Sequence, residues 1–376
     1  MDRLIDEIVK VSVTDAIAAA DATAVNTAAV LGISTKASVT TQVLYDQESV
    51  ESAYNSPASG NDAAYVSELS KVTRSFFGQS GNPGKLVCIP VASEPTVATI
   101  ATTLDTALGM GKDANNRDVD FYHVVYRPGS SVTAANIIAM IEGDSTHKGI
   151  EEWCKENFRI CHIEVTDRTK AESVLAGLAE PTTRVAIYFH NETSTEKSLA
   201  AALVAERCGK DPARGTWAHK TLDSVVADAT TKAQLVDAQD KGLNVYVKIA
   251  GVERTYMGTT GSNKTFIDEV VKKDWLKFRT QEAIFNLLGQ ANNGDGVDYN
   301  DNGIPAVAAA VTSIFNNAMD NDHRYVLPDS TDVTVPKYAD ISAEDKAVRN
   351  LPDVKATFSI QASIHTVKTV ELQVVA

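Results

Sequence analysis

Between residues 65 and 250, short and almost purely apolar runs recur, separated by stretches whose apolar residues repeat at helical spacing. KLVCIPV (85–91), FYHVVY (121–126), RICHIEV (159–165), RVAIYF (184–189) and NVYVKI (244–249) predict strands covered on both faces. Between them, VTAANIIAMIEG opens on Thr133 as a helix cap, and STEKSLAAALVAERCG opens on Ser194 or Thr195 and ends at Gly209. Another short apolar run, AAVLGI, precedes this region. The alternation predicts an α/β layer.

After Gly258 the period changes. TFIDEVVKKDWLKFRTQEAIFNLLG predicts a long amphipathic helix, with Ile267, Val271, Trp275, Phe278, Phe285 and Leu288 on one stripe, Glu282 interrupting it and Gly289 as its stop. A second helix, PAVAAAVTSIFNNAM, carries Pro305 in its first turn and Val307, Val311, Ile314, Phe315 and Ala318 on its apolar face.

Both chain ends alternate with period two. Ile5, Val9, Val11 and Val13 lie on one side of an N-terminal strand that has no evident hairpin partner. Near the other end, Val354, Ala356, Phe358, Ile360, Ala362, Ile364, Val370, Leu372 and Val374 share one parity, against Lys355, Thr357, Ser359, Gln361, Ser363, Glu371 and Gln373 on the other. The pattern lapses at Thr366 and Lys368, which marks a bend, but no turn residue signals a tight hairpin there. Strands without partners are templates for another chain, so the two ends either pair between subunits or complete ordinary sheets in their own chain.

The composition narrows the possible functions. With 376 residues, 44% hydrophobic and 22% charged, the chain is long enough for two cores. No apolar run is long enough to span a bilayer, and acids inside MDRLIDEIVKVSVTD argue against a secretory leader, so neither membrane insertion nor Sec-type export is expected. A net charge of -14 and a pI near 5.0 disfavour direct nucleic-acid binding. Cys88, Cys154, Cys161 and Cys208 form no CxxC pair and read as buried, reduced thiols.

GQSGNPGK (78–85), GMGKD (109–113) and GTTGSNKT (258–265) each miss the spacing of a phosphate cradle and read as loops. His123, His162 and His190 lie on three predicted strands, where they are either a metal cluster or separate structural residues. No GxSxG elbow is present, and no acid, base and pocket assemble. In NNGDGVDYNDNGIP, the positions of Asp298, Asn300, Asn302 and Gly303 match the first half of an EF-hand calcium loop, but Ala309 stands where the bidentate glutamate belongs. The alternative is a polar interhelical loop in which Asn302–Gly303 reverses the chain and caps the next helix.

Read together, the second half has a recognisable order. A Gly-x-Asn-x-Tyr strand (Gly242, Asn244, Tyr246) is followed by a Gly258–Gly261 turn, then Phe266-Ile267-Asp268 and Asp274-Trp275-Leu276 on the long helix. The loop VDYNDNGI comes next, and Arg349 and Pro352 precede a strand running through ASIH. This order resembles the sheath-like proteins of contractile-tailed bacteriophages, and SFFGQSGNPGKLVCIPV (75–91) fits the same family. The resemblance covers residues 242–376, is weaker at 65–91, and finds nothing between 95 and 230. Gln361-Ala362-Ser363-Ile364-His365 departs from the family's Gly-Ala-Ile-His phrase, and Asn300-Asp301-Asn302-Gly303 from its usual loop.

The resemblance implies a structural, non-enzymatic subunit without cofactor. Its fold would be α/β (α+β) with two domains. A core built from residues 1–27 and 231–376 would carry strand-exchanging termini, and residues 28–230 would form an inserted, outward-facing α/β domain. Such subunits stack as six-membered rings or a helix around a tail tube, and contract to drive the tube through the host envelope. The implied partners are further copies of the chain, the tail tube protein, and the baseplate and tail terminator proteins. The implied location is the virion tail, assembled in the host bacterial cytoplasm. The subunit-interface strands would be those of Ile5, Val9, Val11, Val13, Val370, Leu372 and Val374, and the tube-facing cations Lys346 and Arg349. Two other classes compete: a small-molecule or nucleotide-binding α/β enzyme on the 85–250 layer, and a calcium-dependent scaffold using residues 295–303.

Overall fold

A computed structural model describes residues 24–36, 39–55, 66–191, 197–261 and 265–366. Eight strands among them make one sheet: β1 (Ala28–Ile33), β2 (Gln42–Leu44), β3 (Leu86–Val91), β4 (His123–Tyr126), β5 (Ile160–Val165), β6 (Val185–Phe189), β7 (Asn244–Ile249) and β8 (Val252–Tyr256). Their order is β2-β3-β1-β4-β5-β6-β7-β8. The six central strands run parallel, while β2 and β8 close the edges antiparallel to β3 and β7. All five predicted strands are present, and AAVLGI supplies β1 near the middle of the sheet.

Helices cover both faces, which is why the strands are apolar throughout. One face takes Val30, Cys88, Val125, Ile160, Ala186 and Tyr246. It lies under α1 (Gln47–Tyr54), α2 (Glu68–Phe77), α7 (Leu199–Cys208), α9 (Ile267–Gln290) and α10 (Ile304–Met319). The other face takes Leu31, Val87, Val124, Ile163, Ile187 and Val245. It packs on α3 (Ile100–Gly109), α4 (Ala134–Glu142), α5 (Ile150–Asn157), α6 (Arg168–Gly177) and α8 (Lys232–Lys241). All four cysteines are buried free thiols.

Helix α7 is buried at every position, which its alanines permit by letting backbones approach. Its cap is Ser198, whose side chain accepts from the Ala201 amide, so the helix starts later than Ser194 or Thr195. It ends at Gly209 as expected, and for a steric reason: a Cβ there would stand 1.6 Å from the Gly81 carbonyl oxygen. Thr133 caps α4 as the sequence predicts.

Helix α9 runs for 24 residues. Ile267, Val271 and Phe278 are buried, but the predicted stripe outlasts the core, leaving Phe285 and Leu288 exposed. Gly289 does not stop it. The chain reverses just beyond, where Asn292 and Asn293 both take left-handed backbone at φ 53° and 59°, a conformation that asparagine tolerates better than most residues. Helix α10 has its proline in the first turn and buries Val307, Val311, Phe315 and Ala318.

Beyond α10 the chain is more open. β9 (Asp332–Thr334) pairs antiparallel with β10 (Lys355–Thr357), a single bridge joins Val326 to Ile360, and a short helix, α11 (Ala343–Ala347), lies between. The predicted alternation is visible here: Val354, Ala356, Phe358 and Ile360 pack half-buried on the core while Lys355, Thr357 and Ser359 are exposed. Regular pairing nevertheless stops after three residues, because β9 offers no longer partner. Ile5, Val9, Val11 and Val13, and likewise Val370, Leu372 and Val374, lie outside the described residues.

Because Gly209 faces backbone and not a flexible side chain, the two loops must separate to admit a methyl group. Gly209→Ala is expected to lower stability by about 3 kcal/mol, read as a lower urea midpoint at unchanged slope.

Candidate functional site

Three polar fastenings hold the C-terminal third against the sheet. The first is Asp274, about a third of the way along α9. Its carboxylate receives both arms of Arg184, at 2.7 Å each, and the Tyr122 hydroxyl at 2.5 Å. Tyr122 stands just before β4 and Arg184 just before β6, so α9 is pinned to the amino-terminal edge of the sheet. Both charged groups are almost wholly out of solvent, at 6% and 3% side-chain exposure. Burial works against the Arg184 charge, but the Asp274 carboxylate more than reverses this and lifts its pKa above the ordinary value. Burial and the same carboxylate raise the Tyr122 phenol, keeping it a neutral donor. Phe158 completes the seat, with Lys277 4.3 Å and Arg184 5.2 Å from its ring centroid.

The second fastening is Lys272, about half a turn earlier and fully buried. Its ammonium donates to Asp268 at 2.6 Å and to the Gln361 carbonyl at 2.8 Å. The Gln361 amide in turn donates to the Tyr325 carbonyl at 2.8 Å, so the C-terminal ribbon is tied to α9 and to the chain after α10. The third is Asn244 on β7. It accepts from the Gly258 and Thr259 amides, and donates to the Ile187 and Thr259 carbonyls, using all its hydrogen-bonding capacity. The family-like residues Asn244, Asp268 and Asp274 are thus fasteners and not reactive groups. Arg184 and Tyr122 escaped the sequence reading; an arginine set directly before the apolar run VAIYF was the only available sign of the former.

The exposed end of α9 forms one wall of a groove of about 700 Å³. Ile284, Leu288, Ile304 and Val307 line it together with Lys346 and Arg349. Lys346 lies 4.5 Å from the Tyr338 ring centroid, and Arg349 sits on left-handed backbone at φ 57°. The structure therefore brings these two cations to one groove beside the ribbon.

No protein-family model matches the sequence, and no curated protein does. Solved structures do. A chain from the anti-feeding prophage baseplate, 6-fold symmetrised, is 11% identical, with a TM-score of 0.61 and 98% of each chain covered. A chain from the anti-feeding prophage helical sheath in contracted state is 12% identical, with a TM-score of 0.58, 98% of this chain and 97% of that one covered. A third, from the baseplate in contracted state, is 10% identical at a TM-score of 0.59. The chain has a sheath-protein fold. The likeness spans residues 95–230 as well, where the sequence offered no resemblance.

Within this sheath fold, the places where an α/β enzyme would bind a ligand are occupied by the chain itself. Neighbouring strands leave in opposite directions from the β1–β4 boundary, the usual crevice of such sheets. There Glu94 accepts from the Tyr126 hydroxyl and the Gly129 amide, both at 2.8 Å, and Arg127 donates to the Lys197 carbonyl. At the amino end of α7, where a phosphate would sit, Glu164 accepts from the Ala200 amide at 2.7 Å and the Ser198 hydroxyl at 3.0 Å. Gly81 and Gly84 make left-handed turns ahead of β3, as expected of a loop.

The calcium-like stretch folds as an interhelical loop. Asn300 sets the turn, its side chain accepting from the Asn302 and Gly303 amides and its carbonyl from Ile304, while Gly303 takes the cap position of α10 without a side-chain bond. Gly303 is required because a Cβ would stand 1.9 Å from the Asp298 carbonyl. Among the described residues, no three His, Cys, Asp or Glu side chains are grouped to hold a metal ion. Of the three strand histidines, His123 and His162 do meet, 3.0 Å apart through ring nitrogens, and His162 continues to the Tyr188 hydroxyl at 3.0 Å. Trp217 stacks on His162, with centroids 5.3 Å apart. His190 is elsewhere, bonded to Asp228.

Two measurements test these assignments. Asp274→Ala leaves the buried Arg184 uncompensated and is expected to cost about 3–5 kcal/mol in chemical denaturation. Burial pushes His162 down to about 3, and burial together with His162 lowers His123 well below its ordinary value. The unfolded chain, titrating near 6.5, then binds more protons than the folded one, so stability is lost as pH falls from about 6.5 towards 3. His162→Gln is expected to reduce the acid-side slope of stability by about 1.4 kcal/mol per pH unit.

Proposed function

We propose that the chain is a structural subunit of a contractile sheath, polymerising in six-fold rings or a helix around a tail tube and contracting to drive that tube through a host envelope. The end-to-end likeness to a helical sheath chain carries this reading, since it covers 98% of this chain and 97% of the other. The filled crevice and the helix N-terminus occupied by Glu164 support a non-enzymatic role. Among the described residues no helix is long and apolar enough to cross a membrane. Copies of the same chain, a tail tube protein, and baseplate and tail terminator proteins are the partners in this reading. The particle is a phage tail or a related injection machine, assembled in the bacterial cytoplasm.

On the same reading, residues 1–27 and 231–376 form the core and residues 28–230 the outward part. The division falls between β6 and β7, whose register spans only Tyr188↔Asn244 and Phe189↔Val245, the shortest pairing among the parallel strands. Ile5, Val9, Val11 and Val13 at one end, with Val370, Leu372 and Val374 at the other, are assigned to pairing between subunits. Lys346 and Arg349 are assigned to the tube-facing surface. Contraction needs no nucleotide if the extended packing is metastable, since a second packing of the same subunits releases the energy.

Negative-stain microscopy of the purified protein tests the proposal. Rings or long cylinders are expected from the full chain, and their loss on deleting residues 1–15 or 366–376. A full chain that stays monomeric under all assembly conditions would overturn the sheath reading. Cylinders indifferent to both deletions would remove the end-pairing assignment alone. A nucleotide that raises the melting temperature at saturating concentration would favour the enzyme reading instead.

A further inference from the structure

Two imidazoles meet where the ribbon leaves the body of the protein. Past Gln361 the chain swings outward, and Ile364 is 83% exposed. His365 then turns back into a notch of about 270 Å³ walled by Ala218, His219, Asp240, Tyr256 and Phe266. Its ring stands edge-on to Phe266, with centroids 4.7 Å apart, and to His219 at 5.9 Å. Its Nε2 lies 2.6 Å from Thr216 Oγ1, and its carbonyl lies 3.0 Å from His219 Nε2.

The hydrogen bonds constrain the protonation state. A carbonyl only accepts, so His219 carries its proton on Nε2. Thr216 Oγ1 accepts from the Ala218 amide at 2.9 Å and has its own proton to offer His365 Nε2. A neutral His365 that accepts this proton on Nε2 carries its own on Nδ1. We propose that His365 is a proton-sensitive latch: neutral, it fastens the chain to the loop at 216–219, and on protonation it releases the segment after Gln361 while Lys272 keeps its hold on Gln361.

The surrounding charges favour this behaviour. A proton on His365 Nε2 reverses the bond from Thr216 and adds a cation beside His219 and Lys220 in a half-buried notch. From α9, Asp268 favours that cation but is already committed to Lys272. From α8, Asp240 lines the notch, and from β8 the Tyr256 phenol, which burial keeps neutral. Burial outweighs the help from Asp268 and, with His219 and Lys220, holds His365 below the ordinary imidazole range. A pKa lowered in the fastened state means that the released state takes the proton more readily, so acid favours release. The latch is a property of the single chain and stands whether or not the chain builds a sheath.

A spin label at Ile364→Cys in the full chain reads the latch directly, since the four native thiols are buried. The mobile fraction of the label is expected to rise as the solution is taken from about pH 7.5 to about pH 5, the span in which imidazoles titrate. His365→Phe keeps an aromatic edge against Phe266 but cannot titrate, and its label is expected to hold one mobility throughout. Lys220→Gln removes a neighbouring cation and is expected to move the midpoint to higher pH. A wild-type label indifferent to pH, a His365→Phe curve that follows wild type, or a midpoint that Lys220→Gln leaves in place would each overturn the proposal. Should His365→Phe fail to fold, the His365 ring-proton chemical shift in the wild-type chain must titrate at the same midpoint as the label; separate midpoints would overturn it too.

Discussion

A carboxylate that cannot reach water must be paired, and Asp274 is paired three times over. That requirement organises the second half of the molecule. Once Arg184 and Tyr122 are placed by the strands they precede, only one rotation and one height of α9 satisfy the carboxylate. Lys272, half a turn from it in angle and also buried, is then directed at the chain that returns from α10. Apolar packing alone would hold α9 on the sheet with less positional precision, because hydrophobic contact has little directionality. The charged groups therefore supply registry while Ile267, Val271 and Phe278 supply adhesion.

Much of this fold is written locally. The five apolar strands and the caps at Thr133 and Gly209 could be read from neighbouring residues, because strand burial and cap geometry are short-range matters. What could not be read depends on distance along the chain. Asp274 and Arg184 are 90 residues apart, and nothing near either shows the other. Lys272 looks like one of several lysines on the polar side of an amphipathic helix, yet it is fully buried because the ribbon lies over it. The end of α9 was misplaced at Gly289 because glycine is the usual terminator, whereas two asparagines here take the left-handed turns.

The C-terminal alternation was legible in its parity but not in its pairing. Side chains of Val354 to Ile360 face the core as the period-two pattern demands. How far a strand is hydrogen-bonded depends on what lies beside it, and β9 supplies only three residues. Similarly, the order of residues from Asn244 to His365 suggested a sheath-like chain, while the middle region carried no such sign although its fold proved similar across the whole length. Backbone architecture can persist where the side chains that would announce it have been replaced, since many apolar sequences fill the same layers.

The attachment of the ribbon also defines how the protein would carry a mechanical load. Tension on the chain beyond Thr366 meets the His365 contacts first, then passes through the Gln361 carbonyl to Lys272, along the axis of α9 to Asp274, and through Arg184 into the amino end of β6. The force therefore enters the sheet at the amino end of β6, an inner strand bonded on both sides, and not at an edge strand.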